Sequence, residues 1–376
     1  MKALLKPSLN WLLVFLPAAI VLRYFIPGHD TMVFIASALA IVPLAGWLGQ
    51  ATEHLAHRAG PAVGGLLNAT FGNAAEMIIA IMALRDGLIP IVKASLTGSI
   101  IGNVLLVLGA AIVAGGVKHK TQQFNARGAR VQSTMLSLAA ISLIAPAAYH
   151  YLAGPAGRMR EADLSLEIAI VLLVTYGLGL LFTLRTHKSF FVSGALGEDE
   201  HETAPQEHAS QWSTSRSVAV LGGATALIAW VSEILVGSVE HAAKSFGMTD
   251  LFVGVVVVAI IGNAAEHSTA ITVAIKNRMD LAVGIAVGSS IQVALFVAPF
   301  LVVASYFISP HHMDLVFTPA EVIAISLSVL IVWQIADDGE CNWLEGVQLL
   351  AVYLILGMMF YFLPEADGRH ATLLVR

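Results

Sequence analysis

Apolar runs of about twenty residues follow one another along almost the whole chain, separated by short clusters of Pro, Gly and charged residues. A helix needs roughly 20 such residues to cross a hydrocarbon core about 30 Å thick. Read against this punctuation, the pattern predicts eleven helices, at about 9–26, 31–51, 62–84, 88–116, 128–150, 163–186, 215–243, 250–275, 280–308, 318–337 and 343–363. The segments 88–116 and 280–308 exceed what a straight span requires, so tilt or a break near their Gly-Ser pairs is expected. The first run follows Lys2 and Lys6 as a signal peptide would. Arg23 near its end, the lack of a small-x-small site after Phe25 and a new apolar run from Thr31 favour a retained helix.

Composition narrows the class. Hydrophobic residues make up 57% of the 376 and charged residues 12%, with a mean hydropathy of +0.80, whereas soluble domains carry about a quarter charged residues. The chain therefore reads as an all-α integral membrane protein, without room for a soluble catalytic domain. A net charge of -5 with no basic stripe excludes a nucleic-acid partner. Cys341 stands alone, so neither an intrachain disulfide nor a Cys-rich metal centre is available. With the N-terminus inside, twelve of the 20 Lys and Arg residues fall on the inner side. That bias predicts a cytoplasmic N-terminus, and eleven spans then put the C-terminus outside.

One pentapeptide occurs twice. Gly72-Asn73-Ala74-Ala75-Glu76 returns as Gly262-Asn263-Ala264-Ala265-Glu266, a gapless offset of 190 residues that also lays Gly98-Ser99 on Gly288-Ser289. Glu53-His54 resembles Glu240-His241 after a three-residue shift. The pattern predicts an extra N-terminal helix (1–30), a five-helix repeat (31–186), an acidic cytoplasmic linker (187–214), a second five-helix repeat (215–363) and a C-terminal tail (364–376). An odd number of spans per unit inverts the second copy. Inverted repeats with Gly-interrupted polar segments at equivalent positions are the architecture of secondary transporters, whose sites lie at the repeat interface near the midplane.

The carboxylates within these repeats need a partner. An ionised Glu near the bilayer centre costs at least about 2.5 kcal/mol, and the nearest cationic residues, Arg85 and Lys276, lie nine and ten positions away, roughly 13–15 Å along a helix. A bound cation or protons are the remaining means of neutralising Glu76 and Glu266. Paired carboxylates supply the hard oxygens that Ca²⁺ prefers. Gly72 and Gly262 weaken the helix and free carbonyls, tolerated at depth only where they line a cavity. Asn73 and Asn263 either offer side-chain carbonyls or hold the opened backbone, and Ser99, Ser289 and Gln292 add neutral oxygens. Desolvation and mutual repulsion favour protons on the pair when no cation is bound. Ca²⁺ and protons thus compete for one charge, the minimum requirement for antiport.

Gly72–Ala80 (GNAAEMIIA) with Gly98–Asn103, and Gly262–Ala270 (GNAAEHSTA) with Gly288–Gln292, resemble the two signature repeats of the Ca²⁺/H⁺ antiporter family (CAX type) in the cation/Ca²⁺ exchanger superfamily. The resemblance covers essentially the whole chain. It implies alternating access, with Glu76 and Glu266 as ligands and proton carriers and Asn73, Asn263, Ser99, Ser289 and Gln292 in support. Ala75 departs from the family's common Thr and removes one hydroxyl.

Other polar residues carry two readings each. Glu53, His54, Glu240 and His241 form an accessory proton or cation route or are surface-facing helix ends. His267 points about 100° from Glu266 and packs, or takes part in that route. Glu198, Asp199, Glu200 and Glu202 make the linker a solvated hinge or a cation-gathering loop. Histidines at i and i+3 in Glu53–His57 do not make the HExxH zinc motif, which disfavours an intramembrane hydrolase. A Na⁺/Ca²⁺ or K⁺-dependent exchanger is the nearest rival, and a passive cation channel a more distant one. No enzyme activity and no cofactor is expected. The expected partners are the lipid bilayer, Ca²⁺ and H⁺, the sequence is compatible with a homo-oligomer, and the expected location is a bacterial inner membrane.

Overall fold

The computed structural model describes residues 9–154, 157, 159–187 and 212–364, and nearly all of them are helical. In chain order the helices are α1 (Leu9–Phe25), α2 (Asp30–Phe71), α3 (Ala74–Arg85), α4 (Ile89–Gly116), α5 (Ala126–Leu152), α6 (Glu161–Thr186), α7 (Thr214–Phe246), α8 (Asp250–Gly262), α9 (Ala264–Ile275), α10 (Met279–Ile308), α11 (Pro319–Ile335) and α12 (Trp343–Phe362). Two short strands, β1 (Gln122–Gln123) and β2 (Glu340–Cys341), pair antiparallel and tie the α4–α5 and α11–α12 connections together. Short polar side chains start several helices. Asn125 accepts from the amides of Arg127 and Gly128 at α5, and Thr318 with Glu321 and Asn342 with Glu345 form capping boxes at α11 and α12. Gly247, at φ 64°, ends α7 in the left-handed conformation.

Among the described residues seven helices are long and apolar enough to cross a membrane, and the pair α8–α9, bent by 61°, adds an eighth. Two shorter apolar helices, α1 and α11, complete the set together with α3, a tally consistent with eleven crossings. As one rod, the 42 residues of α2 would span about 63 Å, twice a bilayer core. A methyl on Gly64 would abut the backbone carbonyl of Ala56, eight residues earlier, a separation of roughly 12 Å in a straight helix. The chain therefore doubles back between these residues, where the sequence reads Gly60-Pro61.

A break near the Gly-Ser pairs does not form, whereas the opening expected at Gly72 and Gly262 does. Helix α4 runs through Gly98-Ser99 and α10 through Gly288-Ser289; each widens into a π-helical turn just beyond, at Gly102–Val107 and Val293–Val297. The interruptions lie instead at Gly72-Asn73 and at Asn263, within the duplicated pentapeptide. Asn73 (φ -100°, ψ 28°) and Asn263 (φ -93°, ψ 4°) adopt nearly the same bridging conformation between the two pieces.

Two apolar clusters organise the bundle. One joins α2 to α7, with α3 and α8 against them, around Ile41, Leu44, Ile228 and Val231. The larger joins α4 and α10 to α5, α6, α9, α11 and α12 around Ile100, Leu105, Leu295 and Leu301. Outward faces are apolar too, with Val171, Val174 and Leu178 of α6 exposed, as a lipid-facing surface requires. Polar residues gather inside: Asn73, Glu76, Asn103, Asn263 and Ser289 are all buried.

Candidate ion site

Each helix break points two kinds of backbone group at the same place. A helix end leaves its last carbonyls without intrahelical donors, and a helix start leaves its first amides, with the positive end of the dipole, without intrahelical acceptors. Glu76 and Glu266 are the third residues of α3 and α9. There the helix N-terminus stabilises a carboxylate by about 0.3–1 kcal/mol, up to about 2 when partly buried. This is less than the burial cost, so a further positive partner is needed.

Asn73 and Asn263 occupy the N-cap positions without capping the helix. Their amides join a network instead. The Asn103 amide donates to Asn263 Oδ1 at 3.3 Å and to Ser289 Oγ at 3.0 Å. Ser289 donates to Asn73 Oδ1 at 2.6 Å, and the Asn73 amide donates to Gln292 Oε1 at 2.7 Å. The Asn263 amide donates to Ser99 Oγ at 3.0 Å and to the Ala259 carbonyl at 2.9 Å. Side chains from both halves of the chain are thus interlocked. The arrangement favours the second role expected of the two asparagines, holding the opened backbone, because both Oδ1 atoms are already engaged.

Within this satisfied network two atoms stand out. Glu76 Oε1 and Glu266 Oε2 are buried without a hydrogen-bond partner, and among the described residues no ion pair reaches either carboxylate. The two groups lie within Coulombic range of one another, and Ser289 lies beside Glu266. Unpaired buried charge is the feature a bound cation or protons would complete.

The carboxylates are not equivalent. A cavity of about 1210 Å³ opens from one end of the bundle and reaches Gly72, Gly262, Glu266, Ser289 and Gln292. Its mouth includes Glu53, His57, Asn125 and Asp280. Glu266 lines this cavity, whereas Glu76 lies behind Gly262: a methyl there would meet Glu76 Cγ at 2.9 Å. Gly72 approaches Gln292 Oε1 in the same way, at 3.3 Å.

Seams around the cavity differ as well. A methyl on Gly98 would collide with the Val255 carbonyl and approach Ala259 Cβ to 2.7 Å; one on Gly254 would lie 2.5 Å from Ala94 Cβ. This α4–α8 seam is closed, and none of these residues lines the cavity. The corresponding positions 190 residues on, Gly284 and Gly288, have nothing within 4 Å and line the open space with Gly64.

The accessory candidates separate. Glu53 lies at the cavity mouth 3.9 Å from His57, both exposed, and His54 stacks on Trp212 at 5.0 Å. Glu240 and His241 are exposed and do not line the cavity. The His267 amide donates to the Asn263 carbonyl at 3.0 Å, and its side chain does not line the cavity. Glu198, Asp199, Glu200 and Glu202 lie outside the described residues.

Two groups escaped the sequence reading. Asn103 stands in the motif but pairs with Val293 at the repeat offset, which hid its role; the matching amide of the second half, Gln292, comes one residue early. Glu321, 2% exposed, accepts from Thr97 at 3.1 Å and from Thr318, fastening α11 to α4 beside the site. Nearby, Lys93 binds Asp314 at 2.6 Å and the Val316 carbonyl at 2.8 Å. Only a lone Glu at the start of an apolar run marked Glu321 in the sequence.

A polytopic helical bundle whose halves each bring one broken helix and one buried carboxylate with an unpartnered oxygen to a shared network, with Glu266 on an open cavity, defines a membrane transporter of cations. The chain belongs to the sodium/calcium exchanger protein family, whose model matches residues 29–185 and 216–362. It is 44% identical over 359 residues to a Ca²⁺/H⁺ antiporter of Aphanothece halophytica, covering 94% of this chain and 96% of the relative. It is 44% identical over 335 residues to the Ca²⁺/H⁺ antiporter ChaA of Bacillus subtilis, covering 89% and 93%. Among solved structures, native YfkE superposes with a TM-score of 0.80 at 39% identity, over 95% of this chain and all of that one. The H⁺/Ca²⁺ exchanger CAX shares the fold at a TM-score of 0.68 and 16% identity, over 94% and 91%.

Proposed function

We propose that the chain exchanges Ca²⁺ for H⁺ across a membrane by alternating access, with both species competing for Glu76 and Glu266. The observation that carries this reading is the pair of buried carboxylate oxygens without a partner, embedded in a network whose other members are satisfied. Ca²⁺, which takes six to eight oxygens, would draw on both carboxylates and on the carbonyls freed at the two helix breaks. When the ion leaves, protons on the same oxygens cancel the charge. Asn73, Asn263, Ser99, Ser289 and Gln292 hold these groups in register; Gly72 and Gly262 allow the close approach.

The closed α4–α8 seam and its unmade counterpart at Gly284 and Gly288 support an inverted-repeat mechanism. In the opposite state the second seam closes on the segment around Gly64 and the first opens. Glu266 is the carboxylate that faces the open side here, and Glu76 takes that place in the other state. With the N-terminus cytoplasmic, as the Lys and Arg distribution favours, this conformation faces inward. The units 31–186 and 215–363 are the two inverted repeats, with residues 1–30 outside them. A bacterial inner membrane fits relatives of bacterial origin that are named Ca²⁺/H⁺ antiporters. The relatives are transporters, and the proposed cycle involves Ca²⁺ and H⁺ as cargo, with neither enzyme chemistry nor a cofactor.

Uptake of ⁴⁵Ca²⁺ into inverted vesicles tests the reading. An imposed pH gradient should drive it, and a protonophore should abolish it. Uptake that requires a Na⁺ gradient and ignores pH would assign the chain to Na⁺/Ca²⁺ exchange instead; Ca²⁺ flux without any counter-ion would make it a channel.

A further inference from the structure

We infer that Asn103 is a positioning residue for ion binding: its amide fixes Asn263 Oδ1 and Ser289 Oγ as acceptors in the network that holds the two carboxylate-bearing helix breaks. The inference rests on the Glu76–Glu266 site described above. Asn103 is 1% exposed, at the start of the π-helical turn of α4, one turn beyond Ser99. Both partners of its amide belong to the second half of the chain, Asn263 at 3.3 Å and Ser289 at 3.0 Å. An amide nitrogen only donates, so it fixes Ser289 Oγ as an acceptor on that side. The one Ser289 proton is then left for the other side, where Asn73 Oδ1 at 2.6 Å and the Glu266 carboxylate both face it, and the Asn73 amide donates to Gln292. On the other branch Asn263 Oδ1 is taken by Asn103, so its amide is turned toward Ser99 and the Ala259 carbonyl. One uncharged donor thereby orients both asparagines at the two breaks.

The second half cannot reproduce this hub, because Val293 stands at the equivalent position. Gln292, longer by one methylene and one residue earlier, reaches Asn73 only. The wiring is therefore asymmetric, and losing Asn103 disorders both helix breaks, whereas losing Gln292 frees one.

Asn103→Ala and Asn103→Ser remove nearly the same volume, but serine retains one hydroxyl donor. In proteoliposomes of the full chain, Asn103→Ala should raise the half-saturating Ca²⁺ concentration about tenfold, the worth of a buried hydrogen bond, while the maximal rate changes little. Asn103→Ser should fall between it and the parent. Asn103→Leu keeps the branched shape but offers no donor, so it should perturb half-saturation at least as strongly as alanine. The slope of log half-saturation against pH should persist in all three, because both carboxylates remain. Equal values for Ala and Ser, or a parental value for Ala, would overturn the inference. Should neither small variant yield folded protein, Asn103→Leu decides, and parental half-saturation in it counts against the wiring. Glu76→Gln run in parallel separates the levels: if it transports normally the carboxylate site is wrong, whereas its loss with unaffected Asn103 variants rejects the positioning role alone.

Discussion

Gly98→Ala offers the sharpest test of how the site is gated. The new methyl would strike the Val255 backbone carbonyl and lie 2.7 Å from Ala259 Cβ; a carbonyl cannot rotate away, so α4 and α8 must separate. Overpacking of this kind costs about 1–3 kcal/mol. The helix-propensity gain of roughly 1 kcal/mol from Gly to Ala applies to both transport states and cancels in their ratio. A net 2 kcal/mol against the state with a closed α4–α8 seam shifts the population about 30-fold away from it. Gly288→Ala meets nothing within 4 Å in the present state and burdens only the opposite one, so its shift has the other sign. Thr269 is exposed and lines the open cavity, and maleimide labelling of Thr269→Cys reads the populations. Labelling should fall in Gly98→Ala and hold or rise in Gly288→Ala. The native Cys341 lies in the β1–β2 ribbon, where burial, with Glu345 and Asp338 nearby, pushes its thiol up to about 12. At pH 7 roughly one thiol in 10⁵ is thiolate, so it should contribute no background. Shifts of the same sign in both variants, or no shift in Gly98→Ala, would refute the seam argument.

Glu76→Gln and Glu266→Gln preserve shape but remove one of two charges; by the cost of breaking a buried charge pair, roughly 3–5 kcal/mol, Ca²⁺ half-saturation should rise at least about 100-fold in flux assays. The proposed competition fixes the sign of the pH dependence: if protons occupy the oxygens that Ca²⁺ needs, the half-saturating Ca²⁺ concentration should fall as pH rises. Its slope should lie between about -1 and -2 log units per pH unit while one or two protons are displaced, and a flat titration would exclude a shared site. Thr97→Val leaves Glu321 short of one donor and should lower stability by about 1–3 kcal/mol, seen as a reduced melting temperature in detergent, while the pH slope of transport is retained.

The linear order of residues carried much of this protein. Spans followed from uninterrupted apolar runs, because a bilayer leaves a backbone no partner but itself. Glu76 and Glu266 were legible because a carboxylate in such a run is costly, and its repetition 190 residues later singled it out from isolated polar residues. Polarity and spacing could not reveal the partnerships. Asn103 was hidden because Val293 faces it in the repeat, and its two partners lie 160 and 186 positions away. Glu321 was hidden because Thr97, its donor on α4, lies 224 positions away. The weakened helices at Gly72 and Gly262 were legible from glycine in an apolar run, whereas the break offered as an alternative to tilt near the Gly-Ser pairs did not form, because packing kept those helices continuous. Asymmetry between the halves was the last thing to emerge. Near-identical motifs carry no record of which seam is closed, and only the folded contacts show Glu266 facing the cavity and Glu76 shut behind Gly262. Local chemistry is written residue by residue, but hydrogen-bond direction and side of access depend on which distant segments meet.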